Sequence, residues 1–567
     1  MAILILLIFM GLFVHEGLVA PAAQGQASAI HDWLASGPSM GVSVTLMLAP
    51  KLLIAVVLTA LWWRGGTSEA PIASNDAAAT SEDSSQPTAT APDRASRKRL
   101  ATAGSTTLRR LDLVQIACRY FLIVSYFADL FALGMLVRLR AVIGDPVLLD
   151  ELIFMAPTLM LNAWMWWCFY PVDVQMREAT LMGRLDDGKP VHIWSRGQYM
   201  LSQVRHQWAL MGLPLLLLVG WWELVRVFDV TNEDLAAALM LGGALLVFIF
   251  TPPLMRFIWD TAPLPRGELR DRLVAMCKQY GVRVRELLLW RTFGGMINGA
   301  VMGLFGRVRY ILLTDALLES MPAKQVEAVM AHELAHVRKR HIFWLLLVAA
   351  ASMEVMRRGV SWLITGALDG LDASGAGSWL PRSVSEALKH PDVAMMAATV
   401  VSIVGWFFVF GWVSRRFERQ ADTFAVQHLA RKWHMERDEE RETESDRVAS
   451  TLPPLPDADT LARQLEAGVA VLPPPPAPRD ERDPSRIPVA AAAIMEGALQ
   501  SVADLNHVPV RRKSWRHGSI AWRQEYLREL AGKPIESTEI DQQVNRIKLA
   551  GIGILALAVV MAYLQIG

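Results

Sequence analysis

Long apolar runs alternate with polar, charged stretches along most of this 567-residue chain. A helix that crosses a membrane needs about 20 mostly apolar residues. The runs predict about nine membrane spans, near residues 2–20, 42–63, 113–137, 151–170, 208–228, 235–257, 342–365, 393–413 and 547–565. The first run contains His15 and Glu16 and lacks a positively charged n-region, so we interpret it as an uncleaved span rather than a signal peptide.

Composition agrees with a membrane protein and excludes one class of partner. Apolar residues make up 53% of the chain, which is high for a soluble protein. The formal net charge of +1 gives no reason to expect nucleic-acid binding. Cys118, Cys168 and Cys277 are too far apart for a metal-type or disulfide-type spacing, and we interpret them as core or lipid-facing residues.

Lysine and arginine between the spans predict the orientation. They are dense at 94–110, in the 171–207 loop and at 256–341, whereas the 229–234 turn carries none. Because cytoplasmic loops are enriched in these residues, we expect the N-terminus and residues 256–341 to be cytoplasmic. A few basic residues oppose this orientation from the predicted outer side: Arg138, Arg140, Arg382 and Lys389.

Two segments have a composition typical of disorder. Residues 64–110 are rich in Ala, Ser, Thr and Pro, and residues 431–487 run from "MERDEERETESDR" to "VLPPPPAPRDERDPSR". Neither segment has enough apolar residues to form a core. We interpret the proline run as a stiff spacer, and a docking site for a polyproline-binding partner is the alternative.

The polar stretch before residue 341 has the periodicity of a small α+β domain. "RGELRDRLVAMCKQYGV" has helical spacing, and "VRELLLWRT" is typical of a strand. "NGAVMGLFGRVRYILLTDALL" predicts two strands around Gly306 and Arg307. "PAKQVEAVMAHELAHVRKRH" predicts a helix with Pro322 in its first turn.

That helix contains the pattern His332-Glu333-Leu334-Ala335-His336. Residues four apart lie on one helix face, so the two imidazoles can bind one metal ion. Glu333 is next to that face and can take a proton from a metal-activated water. The alternative is two surface histidines on an amphipathic helix.

Zinc in a catalytic site takes three protein ligands and keeps a fourth position open. "VSRRFERQADTFAVQH" follows the 393–413 span, with Glu418 and Asp422 four residues apart. A carboxylate from this second helix would complete a site of two histidines and one glutamate. Asp422 could hold a ligand imidazole by its other nitrogen. On their own, these two acids are equally typical of a solvated helix end.

Together these blocks resemble the membrane zinc metallopeptidases of the CAAX prenyl protease and heat-shock protease HtpX family. The resemblance covers about residues 264–430 and consists of an Asn-containing strand, the HExxH helix and an E-x-x-x-D element after a span. It implies that His332, His336 and Glu418 bind one Zn²⁺ per chain and that Asp422 supports them. It also implies a zincin-like fold.

Substrate binding is predicted at two places. Asn298, Gly299 and Ala300 begin a candidate edge strand, to which an extended peptide could add. In "SWRHGSIAWRQEYL", His517 and Arg523 keep the spacing of a His-Pro…Arg element that the family often has, but Gly518 replaces the proline. The resemblance implies that these two residues donate hydrogen bonds to the oxyanion or to substrate backbone. A basic juxtamembrane helix is the alternative.

Features of three other functions occur in the sequence. An intramembrane site-2 type protease also uses HExxH with a later Leu-Asp-Gly, but we interpret Leu368-Asp369-Gly370 as a turn, and the charged HELAH helix cannot be a span. A non-catalytic zinc-binding adaptor would recruit partners through the disordered loops, yet the chain keeps Glu333. A transporter would be expected to have a pair of broken spans with ionisable residues inside them, and the sequence shows no such pair. Arg119 and Asp129, both in one span, are the notable ionisable residues.

We therefore predict a mainly α, polytopic membrane protein with about nine spans and a small α+β zincin-like catalytic domain. Its expected function is hydrolysis of peptide bonds in membrane-associated or misfolded proteins, at the cytoplasmic face of a bacterial inner membrane. Membrane lipid is an expected partner. His341 is interpreted as structural or interfacial, and His428 and His434 as solvated. The predicted divisions are 1–63 (spans), 64–110 (linker), 111–207 (spans and loop), 208–430 (peptidase core), 431–487 (insertion), 488–546 (peptidase) and 547–567 (span).

Overall fold

The computed structural model is mostly helical, with one small mixed sheet. It divides into two compact units, residues 1–251 with 390–396 and residues 252–389 with 397–567. The structure describes residues 8–9, 11–12, 15, 35, 39–66, 113–182, 195–228, 230, 232–292, 296–374, 391–451, 483–506, 508–536 and 539–566. Residues 67–110 of the predicted linker 64–110 and most of the first predicted span lie outside these residues.

The first unit consists of apolar helices. They are α1 Met40–Gly66, α2 Leu113–Ala132, α3 Met135–Ile143, α4 Leu149–Met182, α5 Arg196–Gln203, α6 Leu213–Val227 and the larger part of α7 Glu233–Ile258. A π-helical turn, Ala128–Ala132, closes α2, and a second π-helical stretch, Val204–Gly212, joins α5 to α6. Leu122, Tyr126 and Trp166 are buried at the centre of this unit.

Five helices in the described part of the chain are long and apolar enough to cross a membrane, or six if the bent pair α5–α6 counts as one span. They match most of the predicted spans before residue 260 and the last one. The predicted span at 342–365 qualifies only as a shorter apolar helix, His341–Met353. The expected count of about nine is therefore not confirmed, whereas a multi-helix membrane protein is.

A buried ion pair joins two of these apolar helices. Lys51 of α1 donates to Asp129 in the π-helical turn of α2, and both side chains are buried. The sequence had singled out Arg119 and Asp129 as the notable pair in one span. In the structure Asp129 contacts a lysine from another helix, because helix packing decides which charges meet in an apolar environment.

The second unit carries the sheet and the HELAH helix. Its elements are β1 Thr261–Pro263, α8 Glu268–Gln279, β2 Glu286–Trp290, β3 Gly299–Met302, β4 Tyr310–Thr314, α9 Asp315–Ser320, α10 Ala323–Arg338, α11 His341–Ser374, α12 Pro391–Thr451, α13 Val489–Leu505, α14 Ile520–Leu530 and α15 Glu539–Ile566. The predicted helix and strands of residues 264–341 are present. The short strand β1 was not predicted.

The sheet order is β1-β2-β4-β3, with β2 and β4 parallel and the outer pairs antiparallel. The central strand β4 is buried along its whole length, as its sequence of apolar residues requires. Strand β3 pairs with β4 through Gly299↔Leu313 to Met302↔Tyr310 and forms one edge. The edge position expected for the substrate strand is thus observed.

Helix α12 is 61 residues long and continues without a break from the apolar stretch near 400 into the acidic stretch. The segment 431–451, which the sequence assigned to the disordered insertion, is therefore helical. Lys432 and Glu436, four residues apart, form one of its ion pairs, and such pairs support an exposed helix. Leu368-Asp369-Gly370 also lies inside a helix, α11, and not in the predicted turn.

The core of the second unit is built around α10 and α12. Ala328, Ala331 and Leu334 of α10 are fully buried, as are Ala425 and Val426 of α12. Small alanine side chains let the two helices approach closely. This close packing sets the distance between the histidines of α10 and the acidic residues of α12.

Candidate metal centre

His332 and His336 lie one helical turn apart on α10, and the Nε2 atoms of their imidazole rings face each other. Their Nε2 atoms are 3.2 Å apart, and the rings meet edge to face. His332 is buried and His336 is half-buried. Nothing within α10 requires two adjacent imidazole lone pairs to converge, so the arrangement points to a shared ligand.

Glu418 of α12 reaches the same point from the opposite helix. Its carboxylate oxygens lie 3.6 Å from His332 Nε2 and 3.9 Å from His336 Nε2. Ligands of a tetrahedral zinc ion, each 2.0–2.1 Å from it, are about 3.3 Å apart. The described residues contain one such His/Cys/Asp/Glu group, and it fits Zn²⁺ in both donor type and spacing.

Asp422 and Arg523 form an ionic clamp behind His332. Asp422 Oδ1 lies 3.0 Å from His332 Nδ1, the ring nitrogen that faces away from Glu418. Arg523 of α14 donates two hydrogen bonds to Asp422, of 2.8 and 2.5 Å. Burial opposes the charge on Asp422, but the neighbouring Arg523 guanidinium holds its pKa below the ordinary value. The clamp keeps a buried carboxylate ionised beside the imidazole.

The two histidines have opposite electrostatic surroundings. Burial alone would lower the pKa of His332, but the carboxylates of Asp422 and Glu418 raise it to about 9. Burial lowers the pKa of His336 well below its ordinary value. Burial opposes the charge on Glu418, but the neighbouring imidazoles of His332 and His517 hold its pKa well below the ordinary value. In the absence of a metal, His332 therefore carries the proton that a metal ion would replace.

Glu333 lies between the histidines and the edge strand. Burial raises its pKa to about 7, and His332 and a hydrogen bond from the backbone of Val301 oppose that rise. Gly299 of β3 faces it: a Cβ there would lie 2.9 Å from Val329 Cγ1 and 3.4 Å from Glu333 Cγ. A residue without a side chain is needed at this position for β3 to lie against α10.

His517 sits on a tight turn, Ser514–Gly518, close to Glu418. Its Nδ1 is 2.9 Å from Glu418 Oε1, and its ring is half exposed. The turn is held on α12 by Trp515, whose Nε1 donates to the Phe407 carbonyl at 2.8 Å. Gly518 has a φ of +75°, which proline cannot adopt, so the departure from the His-Pro pattern has a backbone reason.

Two residues beside His336 were not identified from the sequence. His341 Nδ1 is 2.9 Å from His336 Nδ1, and His341 Nε2 is 2.8 Å from the side-chain oxygen of Gln420. Arg340 makes this possible, because its φ of +57° ends α10 and turns the chain back before α11. Burial lowers the pKa of His341 to about 4. The sequence interpretation of His341 as a structural or interfacial residue did not include its contact with His336.

His428 is buried, so the prediction that it is solvated is wrong. Its Nε2 is 3.0 Å from Glu327 of α10, and its Nδ1 is 2.8 Å from the Tyr280 hydroxyl. Lys432 adds two hydrogen bonds to Glu327, of 2.8 and 2.6 Å. The sequence signal for this contact was Glu327, a charged residue on a mostly apolar helix, which needs a partner such as His428 when that helix is buried. His434 is partly exposed and lies 3.1 Å from the Arg486 carbonyl.

The sequence profile of peptidase family M48 matches residues 294–454, which include α10 and the part of α12 that carries Glu418. Among named relatives, the chain is 25% identical over 229 residues to a protease HtpX homolog of Leptothrix cholodnii, covering 37% of this chain and 73% of that one. It is 24% identical over 234 residues to a protease HtpX homolog of Aeropyrum pernix, covering 39% and 68%.

Among solved structures, Ste24p of S. mikatae matches at a TM-score of 0.40 with 12% identity, covering 87% of this chain and 99% of that one. The family profile and the relatives cover the block that carries the histidine pair and Glu418. Residues 294–454 thus match peptidase family M48, and the chain is similar to membrane metalloproteases of the HtpX type.

Proposed function

We propose that this protein is an integral-membrane zinc metalloendopeptidase that hydrolyses peptide bonds with Glu333 as the general base. The observation that carries the proposal is the convergence of His332, His336 and Glu418 from two helices, with ligand atoms within 4.8 Å of one another. These three residues would hold one Zn²⁺ per chain. Bound there, Zn²⁺ would supply Lewis-acid polarisation of the scissile carbonyl and lower the pKa of water to near neutral.

Glu333 would perform the proton transfers. A general base is most effective when its pKa is near the working pH, and the pKa of Glu333 is about 7. It takes a proton from the attacking water and delivers it to the leaving amine. Asp422 would orient His332 through its Nδ1, so that Nε2 remains available for the metal ion.

The edge strand β3 would bind the substrate backbone. Asn298 is exposed, Gly299 and Ala300 are half-buried, and β3 lies against the helix that carries Glu333. A peptide that pairs with β3 in extended form would pass directly beside Glu333. Proline at the substrate positions that donate to this strand should abolish cleavage. Undiminished cleavage of such a substrate would eliminate strand addition.

His517 and Arg523 would have different roles. The half-exposed ring of His517 is available to donate a hydrogen bond to the oxyanion that forms during attack. The Arg523 guanidinium is engaged with Asp422 and lies 3.6 Å from Glu418, so we assign it to holding these carboxylates. This differs from the oxyanion role expected from the sequence.

The substrates would be membrane-associated or misfolded proteins, and the site would face the cytoplasm of a bacterial inner membrane. The Lys/Arg distribution supports this orientation. The proline-rich segment 473–478 and its flanks would act as a spacer or a docking site, and they lie outside the described residues. The alternative function is a non-catalytic zinc-binding adaptor.

The test compares cleavage of an unfolded reporter protein by purified wild type and by Glu333→Gln, with zinc content measured on both. Loss of a general base lowers the rate by about 10²–10⁴-fold, and we expect zinc content to be unchanged. Glu327→Gln makes the same chemical change on the same helix outside the site and should retain cleavage. If neither wild type nor variant cleaves although both hold zinc, the adaptor function replaces the protease.

A further inference from the structure

A chain of hydrogen bonds runs from His336 to the start of the C-terminal apolar helix. His336 Nδ1 is 2.9 Å from His341 Nδ1, and His341 Nε2 is 2.8 Å from Gln420 Oε1. Gln420 Nε2 donates to Asp541 of α15 at 2.5 Å. Lys339 donates to the same Asp541 oxygen at 3.0 Å. These hydrogen bonds therefore link residues from four helices, α10, α11, α12 and α15, and Lys339 from the α10–α11 turn.

The acceptor at the far end fixes the direction of every bond. An ionised carboxylate only accepts, so Gln420 must present its NH₂ group to Asp541 and its oxygen to His341. His341 must then donate from Nε2, and a neutral His341 keeps a lone pair on Nδ1. His336 consequently donates from Nδ1, which leaves the lone pair of its Nε2 facing His332 and Glu418.

His341 and Gln420 are well placed to hold this tautomer. His341 is fully buried and Gln420 is 3% exposed, so water does not compete for their bonds. The His341 ring stacks on Phe417 of α12 with centroids 4.7 Å apart and planes 18° apart. Phe417 precedes Glu418, so the residue that braces His341 adjoins the carboxylate of the candidate centre.

We propose that His341 and Gln420 are positioning residues that hold His336 in the tautomer and orientation required for metal binding. This rests on the proposed function, because it takes His336 to be a zinc ligand. Outer partners of this kind typically change metal affinity by 10–100-fold when they are removed. His336 thus has a neutral partner, in contrast to the Asp422 carboxylate behind His332.

The test measures the zinc dissociation constant of the purified full-length chain in detergent, by competition with a chelator. His341→Phe keeps an aromatic ring against Phe417 but removes the acceptor for His336, and it should weaken zinc binding by about 10–100-fold. Gln420→Leu leaves His341 in place without its acceptor and should weaken binding by a smaller factor. In the double variant the losses should be less than additive, because both changes act through one hydrogen-bond chain.

Two further variants separate positioning from general loss of structure. His341→Asn can offer an amide oxygen near the position of Nδ1, and it should recover most of the affinity that His341→Phe loses. Thr423 lies on α12, as Gln420 does. Thr423→Val removes a buried 2.8 Å hydrogen bond to the Tyr526 hydroxyl of α14 and changes no contact of His336. It should leave zinc affinity unchanged at a comparable cost in thermal stability.

The outcomes separate the two proposals. If wild type binds zinc and His341→Phe, still folded, binds it within twofold as tightly, the positioning role is overturned and the protease proposal stands. The same holds if Thr423→Val weakens binding as much as His341→Phe. If His341→Phe does not fold, Gln420→Leu decides, and unchanged affinity in that variant overturns the role. If wild type binds no zinc, both proposals fail.

Discussion

Two glutamates six residues apart on helix α10 lie in opposite electrostatic environments. Glu327 is buried against α12, and burial alone would raise its pKa, but hydrogen bonds from His428 and Lys432 lower it to about 2. Burial raises the pKa of Glu333 to about 7, and no lysine or arginine donates to it in the described part of the chain. The same residue type on the same helix is thus held either ionised or close to its titration point.

The difference lies in the partners that α12 supplies. At the Glu327 end, α12 presents a histidine and a lysine, which stabilise the carboxylate and fasten the two helices. At the Glu333 end, α12 presents Glu418 and Asp422, whose charges favour a proton or a metal ion on the histidines instead. We infer that the first cluster stabilises the helix pair and the second is prepared for chemistry.

The largest expected stability effect comes from Asp422→Asn. Removing one partner of a buried ion pair leaves the other charge uncompensated, which costs about 3–5 kcal/mol. Because Glu418 lies 3.6 Å from the Arg523 guanidinium and partly compensates it, we expect about 3 kcal/mol. Chemical denaturation of the metal-free protein in detergent measures the loss. A loss no greater than that of Thr423→Val would contradict the ionic clamp.

Glu327→Gln should cost about 1.5–3 kcal/mol, the range for hydrogen bonds to charged groups, with little change in cleavage. The pKa of Glu327 falls from an ordinary value of 4.5 in the unfolded chain to about 2 in the folded one. Its stabilisation is therefore complete above pH 4.5 and disappears as the pH falls towards 2. Unfolding curves at pH 7 and pH 3 should show the wild type and variant converging at the lower pH.

Glu333→Gln should have the opposite sign and a smaller size. Because folding raises this pKa from 4.5 to about 7, the ionised carboxylate destabilises the metal-free fold above pH 7 and has no effect below pH 4.5. The variant should be more stable than wild type at pH 8, by about 1 kcal/mol after solvent screening of this half-buried group. If wild type and Glu333→Gln were equally stable at pH 8 as well as at pH 4.5, the proposed electrostatic difference between Glu327 and Glu333 would be wrong.

The smallest effect is expected at a third contact between the same helices. Lys324 of α10 pairs with Glu436 of α12 at 3.2 Å, but the lysine side chain is 63% exposed. Exposed pairs contribute about 0.2–1 kcal/mol and are weakened by salt. Lys324→Met should therefore change stability least, and added salt should erase the change. A loss as large as that of Glu327→Gln would show that burial does not set the ranking.

The parts of the site that follow helical or strand periodicity were predictable from the sequence. The His332–His336 pairing depends only on residues four apart sharing a helix face, and β3 and β4 follow from the two apolar runs on either side of Gly306. Two expectations failed for the same kind of reason. His428 was interpreted as solvated and residues 431–451 as disordered because their polarity was considered without the α10 residues that pair with His428, Lys432 and Glu436.

By itself, the sequence determined most of the long apolar helices, the HExxH helix and the type of metal that its residues favour, because composition and spacing act over a few neighbouring residues. Only the tertiary structure decided that Arg523 pairs with Asp422, that His341 folds back on His336 and that Glu327 meets Lys432. These contacts join residues from different helices. The backbone turn at Arg340 is what brings His341 to His336. Their energies depend on burial and distance, which no local pattern of residues specifies.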